Sequence, residues 1–204
     1  ELSFCLSGLQ PGLMKGRQIT LGVIVGNRDF FPDALVTEAR RDLNEVLGTA
    51  GVDVVWPGES ETKLGGIETY GEAEAAAALF RKAADRIDGI LVCLPNFGDE
   101  KGVADTIRLS GLRVPILVQA YPDELDQLTP ARRRDAFCGK ISVCNNLRQR
   151  GYSFSLTRAH TVHPRSQAFE ADLDRFIRLC RLVRGLREVR LGAVGARPAA
   201  FNTV

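Results

Sequence analysis

Short apolar runs alternate with stretches of helical periodicity along most of this chain, and that alternation restricts the fold more than any other feature. Ile19-Thr20-Leu21-Gly22-Val23-Ile24-Val25, Val52-Asp53-Val54-Val55-Trp56, Gly89-Ile90-Leu91-Val92-Cys93-Leu94 and Val114-Pro115-Ile116-Leu117-Val118-Gln119-Ala120 are rich in β-branched residues and apolar on both faces. Strands covered by helices on both sides of a parallel sheet read this way. A fifth run, Tyr152-Ser153-Phe154-Ser155-Leu156, alternates. Between the runs lie helical patterns. One, opened by Pro32-Asp33, carries Leu35, Val36, Ala39, Leu43, Val46 and Leu47 and stops near Gly51. The next has capping-box spacing at Thr69 and Glu72, then Ala73, Ala76, Ala77, Phe80, Ala84 and Ile87 on one face. A short helix is expected over residues 101–110. Another is expected from Thr129-Pro130 to about residue 150, broken at Gly139. A long one, opened by Pro164, places Phe169, Leu173, Phe176, Ile177, Cys180 and Val183 inward and Arg175, Arg178 and Arg181 outward.

Strand and helix alternate at about 35 residues per unit, which calls for βαβ crossovers and a parallel sheet. Five strands with helices on both faces predict an α/β, flavodoxin-like, doubly wound sheet of order 2-1-3-4-5. The domain is expected over residues 19–188, after an irregular leader at 1–18 containing Gly8, Pro11, Gly12 and Gly16. Residues 189–204 include Arg190-Leu191-Gly192-Ala193-Val194-Gly195, read as the first strand of a truncated second domain. The chain lacks an initiator Met and a basic apolar leader, so it is expected to be a piece of a longer product.

Composition excludes several classes. At 45% hydrophobic and 25% charged the chain is neither disordered nor collagen-like. No apolar run is long enough to cross a membrane. Five cysteines (Cys5, Cys93, Cys138, Cys144, Cys180) without a CxxC pair indicate a reduced, cytoplasmic protein. Cys138 and Cys144 are expected to be small buried residues. The net charge of +2 hides an asymmetry. Residues 1–128 carry 12 basic and 20 acidic side chains, and residues 129–204 carry 15 and 5. Solvated helix faces or a dipolar subunit packing head to tail would account for this. Nucleic-acid binding is not expected, because no aromatic residues interleave with the arginines.

In a sheet of this order ligands bind at the carboxyl ends of the strands, where the strand order reverses. The segments placed there are Gly26-Asn27-Arg28-Asp29-Phe30-Phe31, Asn96-Phe97-Gly98-Asp99-Glu100 and Gln119-Ala120-Tyr121. Neither GxGxxG nor GxxxxGK[ST] is present, which argues against a dinucleotide or nucleoside-triphosphate site. A receiver-type phosphoacceptor site would need more acidic residues after the first strand than Asp29. Arg28 can grip hydroxyl or carboxylate oxygens, or form a salt bridge to a nearby loop. Phe97 with Asp99 and Glu100 could form an aromatic wall with acceptors, or a plain loop. His160 and His163 precede Pro164 in a loop, with no third ligand at recognisable spacing, so a metal site is not expected there. Arg132-Arg133-Arg134 falls at an expected helix start, against the helix dipole, and reads as a solvated run or a partner surface.

Taken together, Leu94-Pro95-Asn96-Phe97-Gly98-Asp99-Glu100, Asp135-Ala136-Phe137-Cys138-Gly139-Lys140-Ile141-Ser142-Val143-Cys144-Asn145-Asn146-Leu147 and Gly192-Ala193-Val194-Gly195-Ala196-Arg197-Pro198-Ala199-Ala200-Phe201-Asn202-Thr203-Val204 resemble the N-terminal part of the L-fucose isomerase-like proteins. These include the L-fucose and L-arabinose isomerases. The resemblance runs from about residue 19 to the end and is closest to the broad fucose isomerase-like branch. It implies interconversion of an aldose and a ketose on a divalent metal, usually manganese, with carboxylates moving a proton through an ene-diol. It places the metal ligands, two carboxylates and a His, in later domains. This chain alone is therefore expected to bind no cofactor and to be inactive, while the intact enzyme is a homo-oligomer acting on a sugar. The first domain would then lend substrate contacts to a neighbouring subunit. The resemblance supports Arg28, Phe97 and Glu100 as substrate-binding candidates, with Phe97 where fucose isomerases have Trp; Asn96 and Gln119 join them from their place at the carboxyl ends of the strands. A stand-alone sugar-binding module is the alternative.

Overall fold

The computed structural model describes residues 17–126, 128–190 and 200. Five strands form one parallel sheet: β1 (Thr20–Val25), β2 (Asp53–Val55), β3 (Ile87–Leu94), β4 (Ile116–Ala120) and β5 (Ser155–Leu156). Their order is β2-β1-β3-β4-β5, the flavodoxin-like order predicted from the sequence. Five helices connect them: α1 (Ala34–Thr49), α2 (Tyr70–Lys82), α3 (Glu100–Ser110), α4 (Ala136–Gln149) and α5 (Gln167–Arg187).

The apolar runs explain the layering. Every residue of β1, β3 and β4 is buried, as a sheet with helices on both faces requires. In the β1–β3 register Leu21 lies beside Gly89. Gly22, one residue on, therefore faces the opposite side. Each glycine makes a notch for a helix. A Cβ on Gly22 would press on the Phe80 ring of α2, and a Cβ on Gly89 would press on Phe176 and Cys180 of α5. So α2 and α5 cover opposite faces. Between α1 and α5 lies a groove of about 410 Å³, lined by Val46, Leu173 and Ile177 with Glu45, Arg165 and Arg181 at its rim.

Local chemistry ends the elements largely as expected. The Thr69 hydroxyl accepts from the Glu72 N–H, and the Glu72 carboxylate accepts from the Thr69 N–H, which is the reciprocal capping box. Ala84 and Ile87 do not extend α2. Ala84 is exposed in a turn and Ile87 starts β3, two residues earlier than the apolar run suggested. The long helix starts at Gln167 rather than Pro164, because the Ser166 hydroxyl caps it by accepting from the Phe169 N–H. Of its inward set, Val183 is only half-buried.

The largest departure is at α4. Residues 129–132 form a bend and turn, 133–135 are irregular, and the helix starts at Ala136 after Asp135, whose φ is +50°. Thr129-Pro130 is thus not a helix start, and Gly139 does not break α4 but sits inside it, buried. Cys138 is exposed and Cys144 half-buried on α4, against the expectation of burial. Cys93 and Cys180 are the buried thiols among the described residues. Of the leader, residues 1–16 lie outside the described residues, as does the expected strand at 190–195 beyond Arg190. No described helix is long and apolar enough to cross a membrane.

Two measurements test this packing. Phe80 is fully buried against the Gly22 notch, so Phe80→Ala should lower unfolding free energy by about 3–5 kcal/mol in urea titrations. Lys140 on α4 is 3% exposed, and its ammonium donates to the Thr157 hydroxyl at 2.7 Å and the His160 carbonyl at 2.8 Å. Burial lowers its pKa from 10.5 to about 8. Between those values the unfolded chain holds the proton and the folded one does not, so stability rises with pH across that window and the penalty is complete below it. The slope of stability between pH 8 and 10 should be smaller in Lys140→Met than in the parent, in parallel urea titrations.

Candidate functional site

β1 and β3 are neighbours, yet the chain leaves them toward opposite faces, to α1 and α3. Their exits diverge and open a crevice at the carboxyl edge of the sheet, as the strand order requires. Three segments line it: Arg28, Phe30 and Phe31 after β1, Phe97 after β3, and Leu128, Pro130, Arg133 and Asp135 between β4 and α4. Its volume is about 460 Å³, within the usual size of small-molecule sites.

Two of the five candidates meet in the crevice. The Arg28 guanidinium carbon lies 4.8 Å from the Phe97 ring centroid and 5.8 Å from that of Phe30, a cation–π arrangement. Among the described residues Arg28 makes no ion pair with a carboxylate. Among these residues the salt-bridge reading of Arg28 is therefore not realised. Phe30 is 71% exposed beside it. Arg133, across the crevice, is paired to Asp135 at 2.7 Å, and that bond raises its pKa.

The other three candidates lie elsewhere. Asn96 is fully buried behind the crevice floor. Its Nδ2 donates to Asn27 Oδ1 at 2.6 Å, and its Oδ1 accepts from the Gly98 N–H at 2.9 Å. Asn27 in turn donates to Glu68 at 3.1 Å. This chain of amides joins the β1 and β3 exits, so Asn96 holds the Phe97 loop in place instead of lining the crevice. Gly98 takes the left-handed turn at φ +71° that this loop needs. Glu100 stands in the first turn of α3, behind the Asp99 cap, and is not among the lining residues. The acidic first turn complements the helix dipole there. Gln119 is fully buried within β4, with its Nε2 donating to the Val162 carbonyl at 2.7 Å. It fastens the segment after β5.

The arginine run resolves into three roles that the sequence did not separate. Arg132 borders a shallow groove beside α1, and Arg133 lines the crevice. Arg134 is buried, its side chain 6% exposed, in a segment that sequence periodicity had assigned to helix. No sequence signal separates it from its neighbours; the turn comes at Asp135, a residue type that enters the left-handed region more readily than most. α4 then presses close on the Phe97 loop: a Cβ on Gly139 would overlap the Phe97 carbonyl.

The manganese implied by the resemblance can be tested against the ligands present. Glu38, Asp42 and His163 bring one ligand atom each within 4.8 Å of one another, a trio that spacing along the chain could not reveal. Their hydrogen bonds oppose a cation. His163 Nδ1 accepts from the Arg165 N–H at 3.1 Å, which leaves the ring proton on Nε2, facing Asp42 at 3.5 Å. Arg165 lies 2.9 Å from Asp42, and Arg134 lies 3.1 Å from Glu38. Two guanidiniums already supply the positive charge, and the imidazole has no lone pair to offer. These residues do not fit a divalent metal. They form a partly buried polar cluster around Asp42 with Tyr121, whose hydroxyl donates to Asp42 at 3.1 Å and whose pKa is pushed up, chiefly by burial.

The fold and the crevice define a doubly wound α/β domain with an aromatic, arginine-bearing crevice at the carboxyl edge of its sheet. A family described as fucose/sulfoquinovose isomerase, N-terminal domain, matches residues 22–187, and the chain belongs to that family. A comparison with curated proteins found no match.

Gly139→Ala probes the tight approach of α4 to the Phe97 loop. The added methyl meets backbone that must move, so the variant should lose about 1–3 kcal/mol of stability. Amide shifts of Phe97 and Gly98 should move with it, as read by two-dimensional NMR.

Proposed function

We propose that the chain serves as the N-terminal domain of an aldose–ketose isomerase, and that its carboxyl-edge crevice contacts the sugar. The observation carrying this reading is Arg28 over the Phe97 ring, with no carboxylate paired to it among the described residues. An aromatic face packs against the C–H surface of a sugar, and a guanidinium grips its oxygens. The family's description pairs a neutral deoxy-sugar with a sulfonated one. A cation with no carboxylate partner among the described residues suits either a hydroxyl or a sulfonate oxygen. In this reading the metal and the proton-moving carboxylates belong to other parts of the enzyme, and the domain's task is to bind and orient substrate within a cytoplasmic homo-oligomer, at a neighbouring subunit's site.

The crevice's volume, about 460 Å³, also suits a second reading, a self-sufficient sugar-binding module. The two differ in strength and in stoichiometry. Titration of the isotope-labelled chain with L-fucose and with sulfoquinovose should move amides at Arg28, Phe97 and Arg133. Arg28→Ala should weaken that binding at least tenfold. Weak binding, with no sugar interconversion in the presence of manganese, is expected of a contributing domain. Tight one-to-one binding would favour the module. Turnover by this chain alone, or shifts confined to residues away from the crevice, would overturn the proposal.

A further inference from the structure

Arg134 touches all three arms of the structure around the crevice. Its Nη1 donates to the Pro95 carbonyl at 3.0 Å, on the β3 exit two residues before Phe97. Its Nη2 donates to Glu38 at 3.1 Å, on the helix that follows the β1 exit. Its guanidinium lies over the ring of Tyr121, at the end of β4, with the charge 4.7 Å from the centroid. Its own neighbours in the chain, Arg133 and Asp135, line the crevice. The backbone around it is pinned as well: the N–H groups of Arg134 and Asp135 both donate to one oxygen of Asp123, at 3.2 and 3.1 Å.

We propose that Arg134 is a positioning residue for the crevice, holding the Arg133–Asp135 wall at a fixed distance from the Phe97 wall; as a statement about ligand affinity this rests on the crevice being the sugar site. The geometry needs a planar fork. One face of the group lies on Tyr121 while two separate N–H donors reach a carbonyl on one element and a carboxylate on another. A lysine carries the same charge as a point, and cannot lie flat on the ring and bond in both directions. Tyr121 is itself fixed by Asp42. The wall position therefore traces back to α1 through two routes, Glu38 and Asp42. The guanidinium has no contact with the crevice interior, so its influence on a ligand acts through Phe97 and Arg133.

The test compares the 204-residue chain with Arg134→Lys and Arg134→Met. Arg184→Met serves as a control: it breaks the Arg184–Asp88 pair, 3.2 Å, at the end of β3 remote from the crevice. Hydrogen exchange of residues 96–98 and 133–136 and affinity for L-fucose and sulfoquinovose are measured together. Both Arg134 variants should exchange faster in both segments at once and bind the sugar at least tenfold more weakly. The control, at comparable loss of thermal stability, should change neither. Rescue by lysine, or equal losses in the control, would overturn the proposal. If the parent chain binds neither sugar, the functional reading fails, and paired acceleration of the two segments still decides the role of Arg134. Should the Arg134 variants not fold, Glu38→Ala removes one anchor only. Faster exchange in 133–136 then supports the proposal, and unchanged exchange sinks it.

Discussion

The pairing of β1 with β3 is the constraint from which the rest of this domain follows. Six β1 positions run parallel beside β3, both strands buried on both faces. Parallel neighbours cannot be joined by a tight turn, so the chain crosses over a helix each time it returns. Because β2 and β4 lie on opposite sides of this pair, the helices after β1 and β3 leave in opposite directions. The crevice is the space that divergence leaves. Its position is a result of topology, and only its lining is a matter of side-chain chemistry.

That division matches what could be read from the sequence. The apolar runs are continuous where strands are central, and helix faces such as Leu35, Val36, Ala39, Leu43 and Leu47 are unambiguous. Strand order and crevice position follow from them. The capping box at Thr69 and Glu72 was legible because it is local. Asn96 and Gln119 stand at the right edge of the sheet, yet both are buried and committed to backbone or amide partners. Position along a strand says nothing of where a side chain's hydrogen bonds go. Arg134 was hidden for the opposite reason. Three consecutive arginines look like a solvated run, and only the left-handed turn at Asp135 sends one of them inward to meet Pro95, Tyr121 and Glu38. The cluster around Asp42 joins residues more than 100 positions apart, beyond the reach of any spacing argument.

The buried ionic groups divide between the two ends of the sheet. Near the amino end, Asp88 takes Arg17, Arg184 and the Thr20 N–H, and so ties α5 to β1 and β3. Near the carboxyl end, Asp42 and Glu38 take Arg165, Arg134, His163 and Tyr121. The carboxylates at the two centres, Asp88 and Asp42, are buried, and each has more than one partner, so the loss of one exposed arginine is cushioned by the others. The clusters secure geometry as well as stability. The amino-end cluster fastens a helix to the sheet, and the carboxyl-end cluster fastens loops to one another.

The sheet's outer strands carry a consequence for solution behaviour. β2 has three residues and β5 only two, whereas β3 between them has eight. β2 also begins on the exposed Asp53. A foreign strand laid against either margin would find few backbone groups to pair with, and on one side a carboxylate to desolvate. Short, charged margins of this kind oppose the edge-to-edge stacking that turns half-buried sheets into fibrils. The domain thus keeps a long apolar centre while offering almost no template at its borders, a property that favours handling at high concentration and survives changes confined to the crevice loops.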